Sequence, residues 1–95
     1  MAYKIMVIDD DPDIVDYLVS IFEDNDYETC KAYDGHDALE IARSERPDLI
    51  TLDILMPKRS GLNFFERLRQ DGDTRELPVI VISGVTRSDD FFEKE

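Results

Sequence analysis

Asp9 with Asp10, and Asp53, stand directly after apolar runs of the chain. Carboxylates gathered at neighbouring points repel one another: at about 4 Å and an effective dielectric near 20, each uncompensated pair costs on the order of 4 kcal/mol. An unperturbed Asp titrates near ~3.9, so protonation is an unfavourable remedy at neutral pH. A hard divalent cation removes the conflict, and oxygen-only ligands with room for water suit Mg²⁺. One carboxylate then stays available as a nucleophile towards phosphorus. After the run Val79 to Ile82 comes Ser83, whose hydroxyl suits a phosphoryl oxygen, and Gly84 leaves space beside it.

The elements that must position these groups follow from periodicity. Ile5 to Ile8 is apolar without alternation, the pattern of a strand buried on both faces. Asp11 can N-cap the helix that follows, with Pro12 in its first turn and Ile14, Val15, Leu18, Val19, Ile21 and Phe22 at helical spacing. A weaker strand runs from Glu28 to Tyr33. Asp34-Gly35 reads as a turn before a second helix carrying Ala38, Leu39, Ile41 and Ala42, which stops before Pro47. Leu49, Ile50 and Leu52 mark a third strand, and Met56-Pro57 a turn. Leu62, Phe65 and Leu68 are the expected buried stripe of a third helix, of the adjacent Phe64 and Phe65 one facing the core and the other lying near the surface. Leu77 to Ile82 is a fourth strand, and Ser88-Asp89-Asp90 starts a fourth helix, which Phe91 and Phe92 would help to bury. Alternating strands and helices imply right-handed β-α-β units and a parallel α/β sheet, doubly wound, with helices on both faces. Such sheets place ligands beyond the carboxyl ends of their strands, where Asp9, Asp10, Asp53 and Ser83 fall.

Ninety-five residues make one domain, 1–95, and 42% hydrophobic residues exceed the level of a disordered chain. Twenty-three acids against eleven Lys and Arg give a formal charge of −12. That balance argues against nucleic acid and anionic membrane surfaces as partners. The apolar stretch after Lys4 is too short for a signal-peptide core or a membrane span, so a cytoplasmic location is expected. Cys30 cannot form an internal disulfide and reads as a small strand residue, and no Cys/His group has zinc spacing. His36 reads as a surface residue at the start of the second helix.

Three segments, Ile5 to Asp11, Leu52 to Pro57 with Gly61 after it, and Pro78 to Gly84, together resemble the receiver domain of two-component response regulators. The resemblance spans the whole chain. It implies a flavodoxin-like sheet of strand order 2-1-3-4, with Asp53 accepting a phosphoryl group from a sensor histidine kinase or phosphotransfer protein. It further implies Mg²⁺ held by Asp10 directly, by Asp9 often through water, by Asp53 and by the backbone carbonyl of Leu55. Ser83 would be the switch hydroxyl. Such a domain is a conformational switch that takes part in its own phosphorylation, not a turnover enzyme. The family's fifth strand, with its lysine and aromatic switch residue, and its fifth helix would lie beyond Glu95, so the chain reads as a receiver cut early in its fourth helix. The fourth strand is then an apolar edge, for which a homo-oligomer or a segment swap is expected.

Rival chemistries fit less well. An EF-hand reading of Asp9, Asp11 and Asp13 needs Gly and Glu where Ile14 and Ser20 stand. A flavin phosphate would be repelled by Asp9 to Asp11. A haloacid-dehalogenase-like phosphatase would use Asp9 as nucleophile and leave Asp53 without a role. The non-enzymatic rival is a degenerate receiver that only binds partners.

Overall fold

The computed structural model describes residues 2–53, 56 and 60–82. Within them four strands and three helices alternate: β1 (Lys4–Ile8), α1 (Pro12–Asp24), β2 (Glu28–Ala32), α2 (Gly35–Glu45), β3 (Leu49–Leu52), α3 (Ser60–Gln70) and β4 (Val79–Val81). The strands form one parallel sheet in the order β2-β1-β3-β4. The doubly wound α/β reading and its strand order hold. The expected fourth helix and its Phe91 and Phe92 lie outside the described residues.

The first two helices start where a short acidic side chain can satisfy orphan backbone N–H groups. Asp11 caps α1: its backbone is extended (φ −96°, ψ 111°) and its carboxylate accepts the Asp13 N–H at 2.9 Å. Pro12 reinforces this, since a residue before proline is pushed out of the helical region. Asp34 is the N-cap of α2, not part of a free turn, and accepts the His36 and Asp37 N–H groups at 2.9 and 3.1 Å. Arg46 ends α2 in the left-handed region (φ 49°), its N–H donating to the Ala42 carbonyl at 3.0 Å, directly before Pro47. His36 is exposed in the first turn of α2.

The pleat divides β1 between two faces. Met6 and Ile8 join Ile50 and Leu52 of β3 in the cluster completed by Ala38, Leu39 and Ala42 of α2 and by Phe64 and Leu68 of α3. Ile5 and Val7 are also buried but belong to the opposite face, where α1 packs on β1 and β2 through Val15. Helices therefore cover both sides of the sheet, which is why β1 lacks polar alternation. Cys30 sits half-buried in β2, and burial pushes its thiol pKa up to about 11.

The apolar stripe of α3 differs from the expected one. Gly61, Phe64 and Leu68 are buried, Phe65 is half-buried, and Leu62 is 41% exposed. Phe64 fills the core between α3 and the sheet, so Leu62 turns outward and Phe65 lies at the rim under the Arg69 guanidinium, 5.0 Å from its ring centroid. The same guanidinium donates to the Arg75 and Leu77 carbonyls at 2.7 and 2.8 Å and ties down the turn before β4. An ion pair between Arg43 and Asp71 joins the end of α2 to the residue after α3. Strand β4 is shorter than the Leu77 to Ile82 run. Among the described residues it pairs only with β3, with Ile80 and Val81 50% and 48% exposed. No helix among the described residues is long and apolar enough to cross a membrane.

Truncating the two α3 residues should separate them clearly. Phe64→Ala is expected to cost about 3–5 kcal/mol in urea denaturation, whereas Leu62→Ala should cost less than about 1 kcal/mol. Equal losses would contradict the orientation of this helix.

Candidate metal and phosphoryl site

The carboxyl edge of the sheet is set by backbone hydrogen bonds that continue past the strands. Ile8 pairs with Leu52 in the β1–β3 ladder, and the next amide, that of Asp53, donates to the Ile8 carbonyl at 2.9 Å. On the other side the Asp9 N–H donates to the Ala32 carbonyl of β2 at 3.2 Å. Both aspartates are thus anchored by their backbones at adjacent strand ends, with little freedom to move apart. The outcome is that Asp9, Asp10 and Asp53 each offer a carboxylate oxygen within 4.8 Å of the others.

Burial is graded across the three. Asp9 is 6% exposed, Asp53 is intermediate and Asp10 is exposed. Burial pushes the Asp9 pKa up to about 6, and the neighbouring charges of Asp53 and Asp10 push the same way. The Asp11 N–H opposes them, donating to Asp9 Oδ1 at 3.0 Å. Met56, three residues after Asp53, is buried, 3% exposed, in the same apolar cluster as Ile8 and Leu52.

A donor set of three carboxylates with no nitrogen or sulfur, part-buried and partly open, fits a hard oxygen-seeking divalent cation such as Mg²⁺. Asp9, Asp10 and Asp53 come together as the sequence implies. Ser83, its neighbour Gly84 and the Leu55 carbonyl lie outside the described residues. The sequence reading missed the contact of the Asp11 amide with Asp9; the signal for it was an Asp two residues ahead of a helix cap, the pattern of an Asx turn.

Residues 5–94 match the response regulator receiver domain family. This chain is a receiver domain. It is 35% identical over 83 residues to protein Rrf1 of Nitratidesulfovibrio vulgaris, a match covering 87% of this chain and 60% of that one. It is 39% identical over 83 residues to response regulator MprA of Mycobacterium ulcerans, covering 87% of this chain and 35% of that one. The chain thus spans less than two thirds of either relative. The N-terminal domain of a response regulator receiver protein from Methanoculleus marisnigri superposes with a TM-score of 0.83 at 30% identity, covering 99% of this receiver domain and 94% of that chain. Receivers belong to two-component signalling and are not turnover enzymes, and their family implies a histidine kinase as partner.

The raised pKa of Asp9 has a thermodynamic consequence for the metal-free protein. Below about pH 4 Asp9 is protonated folded or unfolded and contributes nothing. Between about pH 4 and 6 the unfolded chain releases this proton while the folded one keeps it, so stability falls as pH rises, and the loss is constant above about pH 6. With chelator present, Asp9→Asn should remove that slope and raise stability at pH 7 by about 1–3 kcal/mol. Denaturant melts at pH 4, 5, 6 and 7 measure it; a destabilised variant would contradict the origin assigned to the shift.

Proposed function

We propose that this receiver accepts a phosphoryl group on Asp53 from the phosphohistidine of a sensor histidine kinase or phosphotransfer protein, in a reaction that depends on Mg²⁺, and that it acts as a conformational switch. The observation that carries the reading is the convergence of Asp9, Asp10 and Asp53 at the carboxyl edge of the sheet in a chain of this family. Asp9, Asp10 and Asp53 are the side chains assigned to the cation, with the Leu55 carbonyl as a further ligand. When bound, Mg²⁺ supplies positive charge that offsets the carboxylates and the phosphoryl oxygens.

The chain's own groups divide the work. Asp53, more open than Asp9, presents a carboxylate oxygen to the donor. That oxygen bonds to phosphorus as the phosphorus–nitrogen bond breaks. The nitrogen keeps the electron pair, and the imidazole takes up a proton, leaving an acyl phosphate on Asp53. Asp9 is held below, one oxygen engaged by the Asp11 amide, and serves as ligand and not as nucleophile. Ser83 is assigned to the transferred phosphoryl group, its hydroxyl following one of the new oxygens.

Incubation with acetyl phosphate and Mg²⁺ should add one phosphoryl group to the intact mass. The increment should vanish in Asp53→Asn and with EDTA, and Ser83→Ala should keep it while weakening the structural response. Phosphate retained in Asp53→Asn and lost in Asp9→Asn would favour the haloacid-dehalogenase-like reading. No increment at all in the unaltered protein would favour a receiver that only binds partners.

A further inference from the structure

We draw no further inference here: the strongest candidate, the apolar groove between the end of α1 and the starts of β1 and β3, lined by Tyr3, Ile5, Phe22, Tyr27, Asp48 and Leu49, carries nothing because nothing in the structure shows what covers it.

Discussion

Parallel pairing of β1 with β3 forces like charges together, and the rest of the site answers to that constraint. Their register places Ile8 beside Leu52, and the ladder extends one step further through the Asp53 amide. Aspartates following both strands therefore end as neighbours whether or not their charges favour it. The backbone bonds and the apolar packing of Met6, Ile8, Ile50 and Leu52 supply the restraint that Coulomb repulsion opposes. The strain falls on Asp9, whose proton affinity rises because it is the most buried of the three.

Much of this arrangement was legible in the residues themselves. The strand run without alternation at Ile5 to Ile8 announces a sheet covered on both sides, and the spacing from it to Leu49, Ile50 and Leu52 announces crossover helices. Asp11 and Pro12 mark a helix start by chemistry that needs no tertiary context. The stripe of α3 was less legible, because Leu62, Phe64, Phe65 and Leu68 offer two overlapping helical faces. Which face is buried is decided by packing against the cluster that contains Leu39, Ala42 and Leu52, which Phe64 joins as a fully buried residue. Asp34 shows the same limit: as a turn residue or a helix cap it has the same local preference, and the folded chain selects the cap.

The two faces of the sheet are not equivalent, and this bears on how the site is supported. The side covered by α2 and α3 forms a continuous cluster that includes Met56. Ion pairing between Arg43 and Asp71 and the Arg69 bonds to the Arg75 and Leu77 carbonyls link those helices to the approach of β4. On the other side α1 contributes Val15 as its one fully buried residue, with Leu18, Val19 and Phe22 half-buried. Asp9 and Asp10 lead directly into α1, which packs on the opposite side of the sheet from that cluster.

In the function proposed above, graded burial is what separates the duties of three carboxylates with a common chemistry. A group as enclosed as Asp9 loses the approach geometry a nucleophile requires, yet gains the fixed orientation a ligand requires. Asp10, being exposed, has little desolvation to overcome and can meet a hydrated cation with its water shell largely kept. Asp53 lies between the two, open enough for phosphorus to reach and close enough to share their counter-ion. Exchanging Asp9 and Asp53 in this scheme would put the nucleophile at the bottom of the site and a ligand at its mouth, so relative depth supports the proposed assignment of phosphoryl acceptance to Asp53.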